Sequence, residues 1–133
     1  MSNLQTQAAN RYILWNGEEK QYEMWRRKFM VNCRSRKVYE GFEIEEWECP
    51  KLETGRKYTD EEKKEIEEEI ESIIEKNDKS FEHLVNSIDH NKDKGTLELG
   101  YVFRARTTMF KNGSAKLALM KLDDQYDTKD IQD

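Results

Sequence analysis

Residues 59–76 read TDEEKKEIEEEIESIIEK. Thr59 and Glu62 have the spacing of a capping box: the hydroxyl reaches the amide three residues on, and the glutamate reaches back. Asp60 and Glu61 add negative charge to a first turn whose exposed amides favour it. Ile66, Ile70, Ile73 and Ile74 then recur at i, i+4, i+7 and i+8, one face of a helix. The remaining faces are Glu and Lys, so only one edge is suited to a core. A long amphipathic helix here, with strand alternation found nowhere in the chain, sets an all-α reading.

The helical pattern extends in both directions. Downstream, Asn77-Asp78 reads as a break. Ser80 or Asp78 then caps a third helix with Phe81, Leu84, Val85 and Ile88 on one face. Residues 91–95 form a polar turn. A fourth helix starts near Thr96 and aligns Leu99, Val102, Phe103 and Arg106. Lys111-Asn112-Gly113 is another turn. Ser114 caps a fifth helix carrying Ala115, Leu119, Leu122 and Tyr126.

Upstream, Tyr22, Trp25 and Phe29 at i, i+3 and i+7 predict a first helix from Glu18 to about Lys37. RYILW, residues 11–15, is a short extended anchor that ends in an Asn16-Gly17 turn. Residues 39–58 have weak periodicity and hold Gly41, Pro50 and Gly55. They read as a long acidic connection between the first and second helix, with Phe42, Ile44, Trp47 and Leu52 as large anchors. The expected fold is a compact bundle of about five helices over residues 11–126. A disordered leader (1–10) precedes it and a frayed tail (127–133) follows.

Composition bounds the function. The 133 residues are 35% apolar and 38% charged, against about 45–50% and 25% in ordinary domains. Fourteen aromatics and a net charge of only −5 argue for a lean folded domain rather than a disordered chain. The charge is segregated: residues 1–39 carry +5, residues 40–78 carry −10, and residues 79–133 balance. Such polarity marks an electrostatic contact, within the fold or with a partner. No apolar run approaches a membrane span, and the polar N-terminus lacks the apolar stretch of a signal peptide. Two cysteines make no disulfide framework, so a reducing, cytoplasmic setting is expected.

Few residues suggest chemistry. Residues 89–93 (DHNKD) resemble the start of a calcium loop, but Gly95 falls one place late and position twelve is Gly100 rather than glutamate. Cys33, Cys49, His83 and His90 have spacings that match no close zinc-ligand pairing. No nucleophile–base set stands out, so an enzyme is the least supported class and no cofactor, metal or small-molecule substrate is expected. The basic collar of Arg26, Arg27, Lys28, Arg34, Arg36 and Lys37 remains. It reads first as a solvated face that pairs with the Glu-rich helix, and second as a phosphate-contacting or self-association surface.

Two segments carry a family resemblance. NGEEKQYEMWRRKFMVNCRSR, residues 16–36, places Gly17, Tyr22, Trp25 and Phe29 ahead of a basic-apolar helix. KNGSAKLALMKL, residues 111–122, holds Gly113, Ala115, Ala118, Leu119 and Leu122, with Tyr126 following. Together they resemble the opening and the last helix of the capsid region of Gag polyproteins from copia-type LTR retrotransposons. Order and distances agree over residues 11–128. Leu119 stands where that family usually has Trp, and its RNA-binding zinc knuckle has no counterpart here. The resemblance implies the N-terminal part of a capsid region, or a domesticated or truncated relative. It implies a non-enzymatic structural protein whose partner is itself, assembling into a shell or lattice around RNA. Its family-signature residues are assigned to the core. The collar and the acidic connection are then the expected contact material. The alternatives are an RNA-binding module using the collar, and an adaptor that takes a partner helix in an interhelical groove.

Overall fold

A computed structural model describes residues 12–126. Four α-helices occur among them: α1 (Tyr22–Ser35), α2 (Asp60–Asn86), α3 (Asp93–Phe103) and α4 (Ala115–Tyr126). Short 3-10 turns cover Glu19–Gln21, Glu40–Glu43 and Glu46–Glu48. The all-α class holds, and the count is four rather than five. The leader and tail expected at residues 1–10 and 127–133 lie outside the described residues.

The missing boundary is at Asn77-Asp78. The second and third expected helices are one 27-residue helix, about 40 Å long at 1.5 Å per residue. Its start is as expected: Thr59 and Glu62 form a reciprocal capping box. Asn77 is fully buried and does not break the helix. Its side-chain amide donates to the Gly113 carbonyl at 2.8 Å, and its carbonyl oxygen accepts from the Ala115 amide at 2.8 Å. Ser80, one turn later and also fully buried, accepts from the Gly41 amide at 2.8 Å and donates to the Val38 carbonyl at 2.5 Å. Both residues resemble helix breakers because their side chains seek backbone partners. Here those partners belong to other segments, so the helix continues and gathers two chain corners.

The core is an aromatic row on α1 set against aliphatic groups from α2, α3 and α4. Trp15 stacks on Trp25 at 5.3 Å, Trp25 on Phe29 at 4.9 Å, and Phe42 meets Phe29 edge-on at 5.6 Å. Leu84, Ile88, Leu99, Val102, Leu119 and Leu122 complete the opposite side. The buried indoles find acceptors, Trp15 in the Glu18 carbonyl at 2.8 Å and Trp25 in the Ile13 carbonyl at 2.6 Å. The N-terminal piece is an anchor: Trp15 pairs in parallel with Ile88 as an isolated bridge. The isoleucine stripe of α2 plays no part in this core. Residues 60–76 include no buried side chain, and Ile66, Ile70, Ile73 and Ile74 are half-buried.

Two smaller boundaries shift. α3 starts at Asp93 rather than Thr96 and ends at Phe103, short of Arg106. In the acidic connection Phe42 is a true anchor, but Trp47 is 75% exposed and Leu52 sits at the surface. An intervening apolar residue in a polar segment is not bound to face inward, and neither of these does. Among the described residues no helix is long and apolar enough to cross a membrane.

Candidate interaction surface

The collar does not act as one patch. Arg26 turns toward α4 and makes a two-pronged contact with Asp123, Nε to Oδ1 at 2.9 Å and Nη2 to Oδ2 at 3.1 Å. The Tyr22 hydroxyl donates to the same carboxylate at 2.5 Å. Burial and the Asp123 charge hold the Tyr22 phenol well above its usual range. This trio ties α1 to α4. Arg27 pairs along its own helix with Glu23 at 3.0 Å, an exposed contact of little energetic weight. Lys28, Arg34, Arg36 and Lys37 make no ion pair among the described residues. The expected pairing of the collar with the Glu-rich helix is therefore corrected: its ion pairs go to Glu23 and Asp123.

Arg36 and Lys37 form the corner after α1. Lys37 adopts φ 60°, while the Val38 amide bonds back to the Cys33 carbonyl at 2.9 Å. That is a Schellman-type ending with lysine in the left-handed position, where glycine is usual. The corner borders a hollow shared with Tyr12, Lys79, Glu82 and His83. Arg36 and Lys37 thus line a different hollow from Arg27 and Lys28.

The outward face of α1 is apolar as well as basic. Met24 is 61% exposed and Val31 is 65% exposed. Lys28 lies between them, one turn from each. Beside them run Ile13 and the exposed Leu14 of the N-terminal piece. Two hollows of about 230 and 420 Å³ share Ile13 and Lys28, so they form one trough along the helix. Met24 and Val31 escape a search for the core stripe because they sit off it. Their i, i+7 spacing around Lys28 is the signal that finds them.

Comparisons with family models, curated proteins and solved structures find no match to the chain.

The resemblance residues are placed as follows. Tyr22, Trp25, Phe29, Ala115, Ala118, Leu119 and Leu122 are buried in the core, and Tyr126 packs against it. Gly17 and Gly113 have φ of 88° and 141°. At Gly113 a side chain would strike the Phe81 ring, so the tight corner beneath Asn77 requires glycine. Ser114 caps α4 through the Leu117 amide at 3.2 Å.

Burial pushes the Cys33 thiol up to about 12, so it is a poor nucleophile. Burial and the charges of Glu46, Glu48 and Glu69 raise the Cys49 thiol. Among the described residues no group of three or more His, Cys, Asp or Glu is arranged to hold a metal ion. The Asp89 carboxylate accepts instead from the Asn91 amide at 3.0 Å, a local turn. Sequence reasoning missed Glu98, which is almost wholly buried on α3. The Tyr126 hydroxyl donates to its Oε1, and Oε2 has no hydrogen-bond partner among the described residues. Burial raises the Glu98 carboxyl above its ordinary range, and the Tyr126 bond offsets only part of that.

Proposed function

We propose that this chain is a structural, non-enzymatic domain that self-associates, as a Gag-like capsid domain does. The observation that carries the reading is the apolar trough on α1. A row of exposed Leu14, Met24 and Val31 beside Arg27 and Lys28 is a docking surface rather than a solvated face. The segregated charge supports it, since a basic first third and an acidic second third suit contacts between copies. The resemblance to the capsid region of copia-type Gag polyproteins supports it independently. Sedimentation over rising concentration, at low and at high salt, is the test. Average mass rises with concentration and falls with salt if the reading is right. A strict monomer throughout removes it.

A second reading has its own observation. Lys28, Arg34, Arg36 and Lys37 are cations without ion-pair partners among the described residues. They suit single-stranded RNA, bound with a strong dependence on salt. Replacing Lys28 and Arg34 by Ala weakens RNA binding if that reading holds. Unchanged binding removes it.

A further inference from the structure

We propose that the trough on α1 receives the Trp47 turn of a second copy of this chain, in a head-to-tail contact. The proposal rests on the self-association reading and names its two surfaces.

Trp47 sits in the sequence EIEEWE, residues 43–48. Trp47 is 75% exposed, the most exposed large apolar residue among the described residues. The turn that presents it is tied to its surroundings by three side-chain contacts. Glu45 pairs with Lys116 on α4, Glu46 accepts from the Thr107 hydroxyl, and the Trp47 indole donates to Glu45 at 3.2 Å. A side chain fixed in advance loses little freedom on binding. Glu43 and Glu48, close in sequence on either side of Trp47, are exposed and make no ion pair among the described residues. The knob is therefore aromatic with a negative rim.

The trough is its complement. Ile13, Leu14, Met24 and Val31 offer apolar contact. Lys28 offers positive charge, joined by Arg27 with its exposed Glu23 partner, while Asp89 lines the far part of the trough. Cations beside an indole face add attraction of their own. Tryptophan in an apolar pocket with a charged rim is the usual composition of a binding hot spot.

Within one chain the two surfaces stay apart. The knob is fastened to the first turn of α4 and to Thr107, and none of residues 43–48 lines the trough. A contact between two different surfaces is heterologous, so each added copy leaves one knob and one trough open. It grows into a ring or an open array. An indole buries only about 150–250 Å², so the contact is small and shows itself at high protein concentration.

The experiment is sedimentation velocity on the full chain at low salt, with Trp47→Ala, Val31→Glu and an equimolar mixture of the two. Wild type grows beyond a dimer as concentration rises. Each variant alone associates about tenfold more weakly or worse. The mixture forms a one-to-one dimer and stops there, because the intact knob of one variant fits the intact trough of the other. Both positions are exposed, and unchanged helical circular dichroism confirms that the variants fold.

If the wild type associates and neither variant alters it, the pairing is wrong while self-association stands. Two monomeric variants whose mixture also stays monomeric overturn the head-to-tail geometry. A wild type monomeric at every concentration overturns the pairing and the self-association reading together. A monomeric wild type that binds single-stranded RNA, and loses it with Val31→Glu but not with Trp47→Ala, assigns the trough to nucleic acid instead.

Discussion

Asn77 spends both halves of its amide on one corner, as donor to Gly113 and acceptor from Ala115. Truncation leaves a buried carbonyl and a buried amide without partners, each worth about 1–3 kcal/mol. Asn77→Ala is expected to destabilise the fold by roughly 2–4 kcal/mol in urea unfolding, by the same reckoning. A loss under about 0.5 kcal/mol, typical of a surface site, removes the clamp. Glu98 acts in the opposite sense. Its folded carboxyl value is raised, so the neutral form suits the fold. The stability it contributes is complete below the ordinary value of 4.5 and is lost as pH rises through the raised value. Glu98→Gln keeps the side chain neutral and escapes that loss. Its advantage over wild type widens as pH rises above 4.5 and then levels off. Parallel stability profiles from about pH 4 to 8 would count against the account.

At the scale of elements, α2 is two helices in one. Residues 60–76 have no buried side chain, whereas residues 77–86 include Asn77, Ser80, Phe81, His83 and Leu84 in the interior. A helix gains most of its stability from the face it packs. Amide hydrogen exchange should therefore be fast over the first half and approach the global rate over the second. Uniform protection along the helix would contradict this. The same element shows what was legible in the sequence. The capping box, the α1 stripe and the Ser114 cap depend on neighbours within a few residues, so spacing reveals them. Asn77 and Ser80 depend on residues some forty positions away, which local pattern does not register. The isoleucine stripe announces a helix but not its partner, and the core uses the later face instead. The collar was legible as composition. Its division into an inward Arg26, a trough-lining Arg27 and Lys28, and a corner at Arg36 and Lys37 depends on what packs against α1.

At the scale of the molecule, the core draws on both sides of the long connection. α1 supplies the aromatic row, and α2 to α4 supply the aliphatic side. Residues 51–57 between them are all exposed. Limited trypsin digestion at Lys51, Arg56 or Lys57 should nick the chain without dispersing it, and the two fragments should co-elute in native gel filtration. Separation of the fragments would mean that the two sides do not share one core. The Arg26–Asp123 contact and the His83–Asn32 bond of 2.6 Å cross the same divide and hold α1 in place. The exposure of Trp47 has an optical consequence. Trp15 and Trp25 are buried and stacked, so their emission is expected at shorter wavelength and largely shielded from a soluble quencher such as acrylamide. Trp47, at the surface, is expected to emit further to the red and to be quenched freely. One fluorescence spectrum thus carries two separate signals: the pair reports unfolding, and the lone indole reports whatever comes to cover it.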